Sequence, residues 1–188
     1  MHNKAYYKKL RKQWAPDTPR LIVIAESPPA DGDYIYKAKG SRRESLFMEL
    51  LIQLFGVVPK NKADGLRAMQ QWGIVLLDAT YTPLYDLKPK AKNQALVKSL
   101  PALMKELNTF KQAKQTPIIL IKKNVCDLLE GPLLGEGFNV VNDGAMVPFP
   151  GSGQQGKFRS AFSKILAEHI YAPKKRMVTK ALKVRRAG

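Results

Sequence analysis

The chain has 188 residues, of which 45% are hydrophobic, and its 32 basic and 15 acidic residues give a formal charge of +17. This size and hydrophobic content predict one globular domain over residues 1–188 and exclude a largely disordered chain. The charge is far larger than solubility requires and indicates a polyanionic partner. Nucleic acid is favoured over a membrane, because no apolar run approaches the roughly 20 residues that span a bilayer.

The beginning of the chain lacks the apolar core of a signal peptide, so we expect a cytoplasmic protein, and we also expect a monomer. Cys126 is the only cysteine, which excludes an internal disulfide and any zinc or iron–sulfur site built from cysteines. The two histidines, His2 and His169, are remote in sequence and have no metal-binding spacing. We therefore expect no metal site, and we also expect no organic cofactor.

Both ends of the chain are basic. Residues of about 1–19 mix tyrosine and tryptophan with lysine and arginine, a composition typical of a phosphate-binding arm or of an ordinary solvated helix. Residues of about 172–188 form a basic tail, which we expect to be mobile or bound to phosphate.

Four aliphatic runs predict strands. They are RLIVIA from Arg20, IVLLD ending at Asp78, IILIKK after Pro117, and the shorter GFNVVND. Helical stretches lie between these runs, and the sequence contains no internal repeat. This alternation predicts a three-layer α/β/α fold with a central, largely parallel four-stranded sheet.

Capping and breaking residues predict where the helices begin and end. Ser41 and Glu44 form a capping box for a helix that ends at Gly56. Proline begins a helix more readily than it interrupts one, so a second helix is expected from Pro101 to about Ala113, with the lysine-rich stretch before it as a surface loop. A short helix is expected from Asn124 to Gly131, and a last helix is expected from Gly156, with an apolar face that continues to Ile170.

Polar residues follow two of the predicted strands. Glu26 and Ser27 come after the first strand, and Asp78 ends the second. Ligands of parallel sheets bind beyond the carboxyl ends of the strands, so these side chains stand where chemistry is expected. A simpler interpretation makes Glu26 the cap of a tight turn. The next loop, ADGDYIYKAKG, holds Tyr34 and Tyr36 and is predicted to be too polar for the core.

A third loop, VPFPGSGQQG, precedes the last helix. Its backbone N–H groups, together with the positive end of that helix, would stabilise a phosphate or an oxyanion. Alternatively, Gly151, Gly153 and Gly156 serve only a tight strand-to-helix turn.

Taken in order, these three loops resemble the uracil-DNA glycosylase superfamily. The run Ala25–Pro28 resembles its Gly-x-(Asp, Asn or Ala)-Pro motif and is most similar to the Gly-Glu-Ala-Pro form of the iron–sulfur branch. Leu76–Asp78 with Thr82 resembles a Leu-Asn motif followed by Thr. Val147–Ser152 with Gly156 resembles the motif His-Pro-Ser-Pro-Leu-Ser that leads into the last helix.

Three positions depart from the family pattern. Ser27 stands where many members have a water-activating Asp or Asn, and Val147 stands where they have the histidine that supports the departing base. Gly151 stands where they have a leucine that fills the emptied base stack.

The resemblance implies a DNA repair enzyme that hydrolyses the N-glycosidic bond of uracil, or of a related damaged base, flipped out of DNA. Glu26 would hold or polarise water beside Ser27, and Asp78 would read the base. An ionised Asp78 accepts from uracil N3–H but repels O4, so either Asp78 is protonated, another group reads O4, or the preferred base differs. The remaining candidate substrate-binding residues are Tyr34 and Tyr36 for stacking, Pro148 and Phe149 of the third motif, Gly151, Ser152 and Gly153 through their backbone, and Gln154 and Gln155 for filling the gap.

Two other functions fit parts of the pattern. A non-catalytic protein that binds DNA, abasic sites or single strands on the same fold would explain Ser27 and Val147. A phosphate-binding hydrolase would use the glycine loop, but the sequence has neither the P-loop lysine pattern nor a carboxylate cluster for Mg²⁺.

Overall fold

The computed structural model describes residues 2–29 and 34–171, and it shows a mixed α/β protein with a parallel sheet. The basic tail at 172–188 and the start of the loop at residues 30–33 lie outside the described residues. The elements are α1 Lys4–Lys12, β1 Leu21–Ala25, α2 Ser45–Phe55, α3 Lys62–Trp72, β2 Ile74–Asp78, α4 Pro89–Leu107, β3 Ile118–Leu120, α5 Lys123–Gly135 and α6 Gln155–Ile165, which continues as a π-helical turn, Leu166–Ile170.

The strand order β2-β1-β3 places β1 at the centre, with both neighbours parallel to it. Ala25 at the end of β1 is paired with Asp78 at the end of β2. Beyond the strands, the N–H of Thr80 donates to the carbonyl oxygen of Glu26 at 3.1 Å. The register therefore brings the first two predicted loops to the same edge of the sheet.

Successive side chains of β1 enter two different hydrophobic cores, as the two-residue period of a strand requires. Leu21, Val23 and Ala25 belong to a core shared with helices α2, α3 and α6. Ile22 and Ile24 belong to a second core shared with α4 and α5. Helices thus cover both faces of the sheet.

The prediction of a fourth strand in GFNVVND is wrong, because the sheet in the described part of the chain has three strands. Val140 forms a single parallel bridge with Ile118. Two residues on, the Asn142 side chain accepts from the N–H of Leu120 at 2.7 Å and donates to its carbonyl oxygen at 3.1 Å. A side-chain amide thus takes the backbone groups that a longer ladder would have used.

The predicted start of the second long helix is also wrong. Helix α4 begins at Pro89 rather than Pro101, so the lysine-rich stretch lies partly in the helix and Pro101 lies inside it. An internal proline removes one helical hydrogen bond. Buried Leu96 and Leu103 on either side of it, and Leu107 one turn later, anchor the helix to the core and outweigh that loss.

Other predicted boundaries shift by a few residues. Helix α2 begins at Ser45 without a side-chain cap, and the Ser41 hydroxyl accepts from the N–H of Arg43 instead of forming a capping box. The predicted end at Gly56 is confirmed, since that residue adopts a left-handed conformation with φ +67°. Helix α5 continues through Pro132 to Gly135.

The basic N-terminal segment contains a helix that packs on the body of the protein. Tyr7 and Arg11 of α1 are buried. Arg11 donates hydrogen bonds to the Tyr81 hydroxyl and to the Glu106 carboxylate. The Tyr7 ring meets the Tyr34 ring edge to face, with 4.9 Å between centroids, so α1 supports a residue of the candidate site.

Candidate active site

A cleft of about 470 Å³ opens at the carboxyl ends of β1 and β2. Each of the three predicted loops contributes to it. The lining residues that matter for chemistry are Glu26, Ser27, Tyr34, Asp78, Lys122 and Phe149. The cleft is thus formed where the general rule for parallel sheets places ligands.

Glu26 is held by the turn between β3 and α5. Its Oε1 accepts from Asn124 Nδ2 at 2.6 Å, and its Oε2 is paired with the ammonium group of Lys122. Asn124 therefore binds Glu26 and does not cap the helix, whose N-cap residue is Lys122. The N–H of Lys122 donates to the carbonyl oxygen of Val147 at 2.7 Å, which ties the third loop to the same turn.

Asp78 is 3% exposed and accepts a hydrogen bond from the Tyr34 hydroxyl at 2.8 Å. Burial raises the pKa of Asp78 to about 7, although the hydrogen bond from Tyr34 and the charge of Arg11 oppose this rise. A carboxyl group with such a pKa is substantially protonated at neutral pH. The protonated form offers one O–H donor and one carbonyl acceptor to a ligand.

A second cleft, of about 350 Å³, also reaches Asp78. Its wall combines the start of α1, the 79–83 loop and α4, including Glu106. Asp78 therefore lies where two surface depressions meet.

In the loop after β1, which holds Tyr34 and Tyr36 and is called the tyrosine loop, the expectation that the residues are too polar for burial is wrong at positions 34–36. Tyr34, Ile35 and Tyr36 are each at most 2% exposed. The Tyr36 hydroxyl accepts from the N–H of Leu76 at 2.7 Å and donates to its carbonyl oxygen at 3.0 Å, which covers the outer edge of β2. Tyr34 lines the cleft and holds Asp78, but its ring is as deeply buried as that of Tyr36, so neither tyrosine has a face open for the predicted stacking on a base.

Phe149 is the part of the third loop that reaches the cleft, with 43% of its surface exposed. Its ring lies against Gly151, where a Cβ atom would come within 3.1 Å of Phe149 Cδ1. A leucine at position 151, as in the family motif, would collide with this ring unless the ring moved. The Phe149 ring thus limits the space available to any side chain at position 151.

The remaining predicted residues of this loop lie outside the cleft lining. The predicted substrate-binding residues of the third loop that do not line the cleft are Pro148, Gly151, Ser152, Gly153, Gln154 and Gln155. Ser152 and Gly153 both have positive φ, 48° and 78°, and are exposed at the tip. Val147 is fully buried, so its side chain cannot replace the histidine of the family.

Basic and aromatic residues that the sequence reasoning missed also border the cleft. They are Arg43, Tyr85, Lys92 and Lys122. Lys122 and Asn124 follow β3 just as Glu26 follows β1, so the strand-end rule identifies both once the third strand is taken into account. The sequence around Tyr85 and Lys92 contains no motif that would predict that these residues line the cleft.

Across residues 2–29 and 34–171, no group of three or more His, Cys, Asp or Glu side chains is placed to hold a metal ion. Within the same ranges, no helix has the length and apolar character needed to cross a membrane.

The chain matches no protein-family model, and no curated protein and no solved structure is significantly similar to it.

Proposed function

We propose that this protein is a DNA glycosylase of the uracil-DNA type, which hydrolyses the N-glycosidic bond of a base flipped out of DNA. The observation that carries the proposal is the convergence of Glu26, Asp78 and Phe149, from three separate loops, on one cleft. Its volume lies within the range of about 300–1,000 Å³ that is common for small-molecule sites. The charge of +17 supports DNA as the partner.

Asp78 is proposed to read the base in its protonated form. Uracil presents an N3–H donor beside an O4 acceptor, and a protonated carboxyl group matches both at once. The Tyr34 hydroxyl fixes the orientation of the carboxyl group through its hydrogen bond to Oδ2. The exposed ring of Phe149 supplies a face on which the flipped base can stack.

Glu26 is proposed to position the attacking water. As the bond between the base and sugar C1′ breaks, its electron pair stays on the base, and water adds to C1′ of the oxocarbenium-like sugar. Glu26 accepts a hydrogen bond from that water, with the Ser27 hydroxyl beside it, and the water proton leaves through the carboxylate to solvent. Lys122 lines the same cleft and stabilises negative charge on the departing base.

Release of uracil from oligonucleotides tests this proposal. Purified protein is expected to produce abasic sites in uracil-containing single or double strands, and Glu26→Ala and Asp78→Ala are each expected to lower turnover by at least about 100-fold while retaining DNA binding. Asp17→Ala, which removes an exposed carboxylate at the opposite end of β1, is the matched control. The proposal is wrong if the wild-type protein leaves both uracil and a panel of other damaged bases in place.

A non-catalytic nucleic-acid binder is the competing function. It is favoured by the buried Val147 at the position of the family histidine. Steeply salt-dependent DNA binding without any base release would support this second function.

A further inference from the structure

We propose that the cleft takes its DNA as an unpaired single strand, held by the aromatic rings of Tyr85 and Phe149 and by the cations between the loops. This inference rests on the proposed function for the identity of the reacting base. It adds the form of the substrate, which neither the resemblance nor the catalytic residues specify.

The two rings are exposed, and each stands beside an element that is anchored to the protein or in contact with its own loop. Tyr85 is 79% exposed, and the preceding residue, Leu84, is fully buried and accepts a turn hydrogen bond from the N–H of Leu87 at 3.1 Å. Phe149 rests against Gly151. Burying an aromatic ring inside the protein is favourable, so rings left exposed around one cleft are characteristic of a surface that binds a ligand.

The charge around the cleft favours the phosphates of a strand. Arg43 and Lys92 line it. The three acidic residues of the lining are already engaged. Glu44 is paired with Lys62 at 2.9 Å, Glu26 is paired with Lys122, and Asp78 accepts a hydrogen bond from the Tyr34 hydroxyl. The cations thus add to the overall positive charge of the chain, and a groove that combines cations with stacking rings is the arrangement that binds single strands.

A duplex fits this surface less well. Bases in a duplex cover one another's faces, so the rings of Tyr85 and Phe149 would have nothing to stack on until the helix was opened. The tip of the third loop, Gly151 to Gly153, carries no large side chain that could fill the stack after a base has left it, and Gln154 and Gln155, which were predicted to fill the gap, do not line the cleft. An unpaired strand offers open base faces and leaves no such gap.

Fluorescence anisotropy with a labelled thymine oligonucleotide, alone or annealed to its complement, tests the inference. The single strand is expected to bind at least about tenfold more tightly than the duplex. Tyr85→Ala and Phe149→Ala are each expected to weaken single-strand binding by about 5-fold to 100-fold, the range of base stacking on one ring. Tyr85→Phe keeps the ring and is expected to retain the affinity.

Lysine variants on helix α4 provide a matched test of the charge. Lys92→Ala is expected to weaken single-strand binding and to lower the slope of log affinity against log salt by about one, whereas Lys98→Ala, two turns further along the same helix, leaves the slope unchanged. The inference is overturned if the duplex binds as tightly as the single strand, or if both ring-to-alanine variants bind like the wild type. The probe contains no uracil, so a failure of base release does not alter these outcomes and would count against the proposed function alone.

Discussion

The protonation of Asp78 links the structure of the site to its pH dependence. Because a pKa of about 7 leaves the carboxyl group protonated below neutral pH and ionised above it, recognition of uracil by Asp78 is expected to fail as the pH rises through 7. We predict that kcat/KM for base release falls across that range. In Asp78→Asn the amide supplies a donor and an acceptor at every pH, so this fall is expected to disappear. A variant profile that falls like that of the wild type would exclude Asp78 as the titrating group.

The same carboxyl group makes folding stability depend on pH. Its folded pKa of about 7 is above the usual 3.8, so the folded state binds the proton more tightly. The stabilising contribution is complete below about pH 4 and is lost progressively as the pH rises to about 7, up to about 4 kcal/mol in all. We predict that urea unfolding of the wild type shows this loss and that Asp78→Asn does not. Equal pH dependence in both proteins would contradict the burial of a protonated carboxyl group.

The sequence predicted which residues meet, and it left the protonation of Asp78 as one of three possibilities. Glu26, Ser27 and Asp78 follow strand ends, so their convergence comes from a general property of parallel sheets. The hydrogen bond from Tyr34 to Asp78 joins residues 44 positions apart, and the contact between Phe149 and Gly151 depends on the path of a loop. Neither contact leaves a pattern in the sequence.

One side chain, Asn142, takes the place of further strand pairing beside β3. Asn142 occupies both backbone groups of Leu120 and also donates to the carbonyl oxygen of Ala145 at 3.0 Å. We predict that Asn142→Ala lowers the free energy of unfolding by about 2–4 kcal/mol, because it leaves buried backbone groups unpaired. Urea denaturation measures the loss, with Asn139→Ala, an exposed neighbour, as control. Equal losses of unfolding free energy in both variants would show that the hydrogen bonds of the Asn142 side chain do not stabilise the fold.

Helix α4 and the tyrosine loop show where tertiary packing overrides predictions made from a short stretch of sequence. The prediction for Pro101 used the local cost of an internal proline, whereas the buried leucines at 96, 103 and 107 follow a helical period across it. The polar composition of the tyrosine loop hid three core residues for a similar reason. Tertiary packing, which no short window of sequence contains, decides both cases.

At the scale of the whole molecule, a central strand with a neighbour on each side places the loops after all three strands at one edge of the sheet. Helix α1, near the amino end of the chain, packs beside this edge. Its Arg11 donates hydrogen bonds both to Tyr81, in the loop after β2, and to Glu106 of α4. The aliphatic runs predicted the parallel sheet and the gathering of its loops. They did not predict that α1 packs behind Tyr34, because its basic composition suits a solvated helix equally well.

A crystal structure of the Glu26→Gln variant with a uracil-containing single strand tests the central claim most directly. We predict that the uracil lies in the cleft at the ends of β1 and β2, with N3 and O4 within hydrogen-bonding distance of Asp78 and its ring against Phe149. A strand bound elsewhere on the basic surface, with the cleft empty of the base, would contradict the assignment of this site.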